Sequence, residues 1–232
     1  RPLRFYDGVI SATEVGCNLR CKFCFSDKPV WDPKNTGNLY KPNEVFNALS
    51  EMADKYRYRL ISASASEGTL GKKHLFELLE LVEESKYIYI LETNGMTLGD
   101  DEAFVRRLSN FNRVHVRVSI KGANRHEYSK LTGAKPSSYD LPFKALKYLI
   151  SNKVSCNACA MISFSNKESI YKLKNRISDV WPGLLKSLEL EHITMFPKVA
   201  KRLKQYKIEP NTIKRGKNVI SKNRVVMQYP ST

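Results

Sequence analysis

A regular alternation of short β-rich runs with amphipathic helical stretches constrains the fold of this chain more than any other feature. Residues 8–15 (GVISATEV) read as a strand running into a polar loop, and residues 42–56 as a helix with Val45, Leu49, Met52 and Tyr56 on one face. Residues 59–66 form the second predicted strand. The helix after it, 72–85, carries Leu75, Leu78, Leu79 and Val82 at helical spacing. The rhythm repeats with strands at 87–95, 113–122, 154–164 and 187–197. Between them, helices are predicted at 100–111, near 124–131, at 140–152 and at 167–181.

Six successive β-then-α units predict an α/β fold: parallel strands, outer helices and right-handed crossovers. An open doubly wound sheet and a partial (β/α)6 barrel of the TIM-like kind both satisfy the pattern. In either, the functional site belongs at the carboxyl ends of the strands. The rhythm fails near residue 198. Residues 198–232 hold ten Lys and Arg (198, 201, 202, 204, 207, 214, 215, 217, 222, 224) against a single acid, Glu209. The expected organisation is a core domain at 1–197 followed by a basic C-terminal extension at 198–232.

That extension supplies more than half of a net charge of +16 over 232 residues. Such a surface suggests a polyanionic partner, RNA before an acidic membrane; a lysine-rich solubilising surface is the plainer explanation. No apolar run has the length of a membrane span, and the first residues, RPLRFYDGVI, do not read as a signal peptide. The chain starts at Arg1 rather than Met, as it would if the numbering began inside a longer protein. Five cysteines, three of them clustered, argue against a disulfide framework and for a reducing, cytoplasmic setting.

The cluster is GCNLRCKFCF, with Cys17, Cys21 and Cys24 spaced C-x3-C-x2-C directly after the first predicted strand. Thiolates are soft ligands suited to iron–sulfur clusters and to zinc. A structural zinc site needs a fourth ligand, whereas a cluster held by three thiolates keeps one iron open. Redox-sensing thiols are a further reading.

The stretch Cys17-Asn18-Leu19-Arg20-Cys21-Lys22-Phe23-Cys24, with its aromatic residue before the last cysteine, resembles the defining loop of the radical SAM superfamily. The resemblance spans roughly residues 8–197. It implies a partial β/α barrel and a [4Fe–4S] cluster on Cys17, Cys21 and Cys24. It also implies S-adenosylmethionine chelated to the fourth iron, and reductive cleavage to a 5′-deoxyadenosyl radical that abstracts hydrogen from a substrate. A low-potential electron donor of flavodoxin- or ferredoxin-like type is implied as partner.

Three further turns carry the resemblance. In SASASEGTL, Ser64, Ala65, Ser66 and Glu67 stand where the family has Gly-Gly-Glu near the methionyl amine. LETNG (91–95) is similar to the Thr-Asn-Gly turn of enzymes that activate glycyl-radical enzymes, the pyruvate formate-lyase activating type among them. VSIKGANRHEYSKLTG (118–133) resembles the same group through Lys121, His126 and Leu131-Thr132-Gly133, with Ser119 in place of an Asp. The resemblance assigns Phe23, Ser66, Glu67, Asn94, Ser119 and Lys121 to the bound nucleoside. The residues themselves also allow plain readings: an Asn-Gly turn, a surface His126, and Cys156 and Cys159 as buried small hydrophobes on opposite faces of a strand. His74, His115 and His192 show no ligand spacing.

The expected function is therefore that of a radical SAM enzyme acting on RNA, a protein or peptide, or a small metabolite. The alternative is a non-enzymatic RNA-binding protein stabilised by zinc or a cluster. Oligomeric state is not legible in the sequence.

Overall fold

The computed structural model describes residues 8–216 and the backbone of residues 218–221 and 226–228. Strands β1 (Ile10–Thr13), β2 (Leu60–Ser64), β3 (Ile88–Thr93), β4 (Val114–Ile120), β5 (Cys156–Met161) and β6 (Glu189–Glu191) form one sheet in chain order. All neighbouring pairs are parallel. An unreversed order is that of a β/α barrel, since a doubly wound sheet changes direction at a switch point. Among the described residues β1 and β6 do not pair, so the barrel is open between them.

Helices α1 (Lys28–Trp31), α2 (Pro42–Tyr56), α3 (Lys72–Glu83), α4 (Met96–Asp100), α5 (Glu102–Leu108), α6 (Arg125–Thr132), α7 (Leu141–Ser151) and α8 (Lys167–Val180) occupy the crossovers. Side-chain caps set several starts. Asp101 accepts from the Phe104 N–H at 3.0 Å, Asn124 from Glu127 at 2.9 Å and Asn166 from Ser169 at 2.8 Å. After β6 come α9 (Pro197–Gln205) and a small antiparallel sheet of β7 (Thr212–Arg215), β8 (Asn218–Ser221) and β9 (Val226–Gln228). Lys217, Lys222 and Arg224 of the basic extension lie outside the described residues.

One face of the sheet meets the helices. Ile61 and Ala63, Tyr89 and Leu91, Val116 and Val118, and Ala158 and Ala160 join Leu75, Leu79, Phe104 and Leu146 in a continuous apolar core. Strand alternation sends the intervening side chains to the inner face, which is polar. There Arg117 donates to Glu189 at 2.8 Å, to Glu191 at 2.7 Å and to the Cys159 sulfur at 3.0 Å, and it lies 3.5 Å from Glu92. A guanidinium this enclosed is tolerable because carboxylates from β3 and β6 surround it. His115 joins the same face, bonded to Ser155 at 2.8 Å and Asn157 at 3.0 Å.

Three expectations change. In α2 the buried positions are Leu49 and Ala53, while Met52 and Tyr56 are exposed. The small Ala53 permits close approach to the sheet, which rotates the larger side chains onto the helix shoulder. The helix expected over 100–111 is the shorter α5, started by its Asp101 cap, and a five-residue helix not expected from the sequence, α4, precedes it. Cys159 is buried but serves as a polar partner of Arg117, and Cys156 is only partly buried, so neither is simply a small hydrophobe.

Candidate active site at the cysteine loop

The loop after β1 is fixed by backbone bonds to several elements. The Arg20 and Lys22 N–H groups donate to the carbonyls of Thr132 (3.0 Å) and Leu131 (2.7 Å) at the end of α6. Leu131-Thr132-Gly133 is thus the dock for the loop, and Gly133, at φ 77°, supplies the left-handed turn that ends α6 there. The Glu67 N–H donates to Gly16 at 3.0 Å and the Gly16 N–H to Pro29 at 2.9 Å. Leu19, Cys21 and Phe23 point into the core, whereas Cys17 and Cys24 are partly exposed.

None of the three thiols is in a disulfide. Burial pushes the Cys21 thiol up to about 12 and raises Cys17 as well. Cys17 and Cys21 are therefore held as thiols in the loop alone, and a bound metal must displace their protons. Among the described residues no three Cys, His, Asp or Glu side chains gather tightly enough to hold one metal ion. Three thiols on one loop suit the thiolate ligation of an iron–sulfur cluster, whereas a structural zinc site takes four protein ligands.

Around the loop, the expected residues fall into two groups. Glu67 is 3% exposed and fully engaged: Oε1 accepts from Thr69 (2.5 Å) and Thr93 (2.6 Å), and Oε2 from the Asn94 N–H (2.7 Å). Burial raises its pKa while these donors lower it. Asn94 donates to Asn18 Oδ1 at 2.7 Å and lies 3.9 Å from the Cys17 sulfur, so the Thr-Asn-Gly turn reaches the loop directly. Phe23 packs on Phe164, with ring centroids 5.6 Å apart, and is 8% exposed. Ser119 and Lys121 sit together at the end of β4, Lys121 Nζ donating to Ser119 Oγ at 2.5 Å. Burial disfavours the Lys121 ammonium, but Cys21, Glu191 and Cys159 outweigh it and raise its pKa. His126 is exposed.

Two buried oxygens beside the loop have no hydrogen-bond partner: Ser66 Oγ and Glu14 Oε2. Orphaned buried polar atoms are rare, and these two lie at the carboxyl ends of β2 and β1. Each leaves a hydrogen-bonding position open beside the loop. Sequence reasoning passed over Glu14; the available signal was a lone acid among the small residues leading into the loop. Burial first, then Glu67 and Glu92, push its carboxyl up to about 8. Ala65, in the Gly-Gly-Glu-like turn, adopts φ 73°, a left-handed conformation that favours glycine.

Sheet order, inner polar face and a three-thiol loop at the strand ends define an α/β partial-barrel protein with its site at the top of β1. Residues 13–177, more than half of the chain, match the Radical SAM superfamily, and the chain belongs to that family. Its members use a [4Fe–4S] cluster and S-adenosylmethionine.

Over 119 residues the chain is 29% identical to a Methanocaldococcus jannaschii protein named as a proposed glycyl-radical enzyme activating enzyme, covering 51% of this chain and 42% of that one. Streptococcus suis SuiB aligns with a TM-score of 0.64 at 18% identity, over 86% of this chain and 45% of SuiB. It was also crystallised with S-adenosylmethionine and with the precursor peptide SuiA. Native anSMEcpe with bound AdoMet aligns with a TM-score of 0.58 at 20% identity, over 79% of this chain and 51% of that one. The chain thus spans about half, or less, of the length of these relatives. Among the described residues no helix is long and apolar enough to cross a membrane.

Proposed function

We propose that this chain is a radical SAM enzyme in which Cys17, Cys21 and Cys24 hold a [4Fe–4S] cluster, and that its substrate is a polypeptide. The observation that carries the reading is the loop itself: three unpaired thiols at the end of β1, with no fourth protein ligand among the described residues, in a chain of this family. When bound, the cluster and S-adenosylmethionine supply hydrogen-atom abstraction, driven by an electron from a flavodoxin- or ferredoxin-like donor.

The chain's own residues do the holding. Leu131 and Thr132 carbonyls fix the loop backbone, and Phe23 against Phe164 anchors its turn. Glu67 orders Thr69, Thr93 and Asn94, and Asn94 steadies Asn18 beside Cys17. Ser66 Oγ and Glu14 Oε2 offer acceptors to the methionyl ammonium, while Ser119 and Lys121 offer polar contacts to the nucleoside or carboxylate end. On the inner face Arg117 holds Glu189 and Glu191 in place.

The polypeptide class is supported by relatives: SuiB with its precursor peptide, anSMEcpe with peptides, and the activating-enzyme name of the archaeal protein. RNA is a second reading, favoured by the net charge of +16.

Anaerobic reconstitution with iron and sulfide, followed by dithionite and S-adenosylmethionine, is expected to give charge-transfer absorbance and 5′-deoxyadenosine. Cys24→Ala should lose both. Stoichiometric tight zinc with no 5′-deoxyadenosine would overturn the enzyme reading.

A further inference from the structure

Helix α9 returns from a distant part of the chain to the cysteine loop. Arg202, 8% exposed, donates from Nη1 to the carbonyl of Cys24 at 2.6 Å, across 178 residues of sequence. Its Nη2 donates to Asp27 Oδ1 at 2.6 Å, and Lys198 closes on the other Asp27 oxygen at 2.8 Å. The same guanidinium lies 4.9 Å from the Trp31 ring centroid. Lys22, between the second and third cysteines, lies 5.4 Å from Trp31 and 4.4 Å from the ring of Tyr206, the residue that ends α9. Tyr206, Lys22, Trp31 and Arg202 thus form an alternating ladder of rings and cations across the loop.

Packing alone does not require this arrangement. Val199 and Leu203 already bury the apolar side of α9. Burying a guanidinium is costly unless its donors are met, so a neutral side chain would dock the helix more cheaply. What the arginine adds is a charge-assisted bond to the main chain of the third cysteine, a residue whose neighbours become anionic when the loop is loaded.

We propose that Arg202 is a positioning residue for Cys24: with Asp27 it straps the loop from α9, fixes the direction of the third thiol and sets the local charge around the bound group. This rests on the cluster reading above. Outer-shell partners of metal ligands typically change metal affinity by about 10- to 100-fold when removed, which sets the size of the effect.

The test uses the full chain with Arg202→Gln, Arg202→Lys and Asp27→Asn, reconstituted anaerobically. In Arg202→Gln, iron loss to a chelator should accelerate about 10-fold or more, and the reduction potential, followed by the electron paramagnetic resonance of the reduced cluster, should move negative. Asp27→Asn should move it positive, because it removes an anion rather than a cation. Arg202→Lys should restore most of the potential. Equal potentials and iron-loss rates in wild type and Arg202→Gln, or shifts of the same sign in Arg202→Gln and Asp27→Asn, would overturn the proposal.

Hydrogen exchange of residues 17–31 in the cluster-free protein gives a parallel readout. Faster exchange is expected in Arg202→Gln, and unchanged exchange refutes the strap even if no cluster is ever taken up. Failure of the wild type to bind a cluster, with exchange still altered, would refute the cluster reading and leave the strap standing. Should Arg202→Gln fail to fold, Arg202→Lys and Asp27→Asn carry the same comparison.

Discussion

Glu14 is the residue whose chemistry is least expected from its place in the chain. Its carboxyl is pushed up to about 8 by burial, then by Glu67 and Glu92, so near neutral pH the ligand-free protein holds it mostly protonated. A group whose folded pKa lies above its unfolded value of 4.5 binds more protons folded than unfolded. Its contribution to stability is present below about 4.5 and is lost as pH rises towards 8. The full shift corresponds to a few kcal/mol as an order of magnitude. Glu14→Gln should therefore melt above wild type at pH 8.5 and converge with it near pH 5; a gap independent of pH would refute the assignment. Ala65 makes a second residue-scale case. Its left-handed φ costs roughly 1–2 kcal/mol, and glycine gives back roughly 0.5–1 kcal/mol of that through unfolded-chain entropy. Ala65→Gly should then raise the melting temperature by about 1–3 °C in scanning calorimetry. The cysteine spacing was legible because a loop motif is local. Glu14 and Arg202 were not, since a lone charge has no period and its meaning depends on what the fold brings to it.

Elements were legible where their side chains repeat. α3 buries Leu75, Leu78, Leu79 and Val82 as the spacing required. β4 sends Val114, Val116, Val118 and Ile120 to the helices, as alternation demands. Legibility failed where an element is too short for a period. α4 has five residues, one of them Gly99, and β6 pairs over only three where eleven read as extended. Gly99 shows why α4 exists: a Cβ there would lie 2.1 Å from the Leu141 carbonyl oxygen and 2.7 Å from its carbon. The two helices touch backbone to backbone, and no rotamer relieves that clash. Gly99→Ala should force α4 and α7 apart and destabilise the chain by about 3 kcal/mol, measured by urea unfolding. A loss below about 0.5 kcal/mol would mean that the helices are free to separate.

For the molecule as a whole, the open question is what its charge is for. The sequence pattern divides the chain near residue 198, yet α9 lies beyond that line and bonds to the cysteine loop through Arg202 and Lys198. Deleting residues 198–232 would therefore disturb the loop together with any RNA binding, and such a deletion cannot separate the two. Lys201, Lys204 and Lys207 are exposed and lie outside the strap, so they provide the cleaner probe. If the basic surface binds single-stranded RNA, changing all three to Gln should weaken binding across sequences. It should also flatten the dependence of log K on log salt by about 2, at roughly 0.7 for each phosphate no longer neutralised. Formation of 5′-deoxyadenosine in the absence of substrate should be unchanged, because none of the three touches the loop. A variant that binds RNA with the wild-type affinity and slope would remove this face from the RNA reading and leave the polypeptide substrate as the reading to pursue. An unchanged slope with weaker binding would instead point to disturbed packing, since displaced counterions are the one quantity that tracks phosphate neutralisation directly.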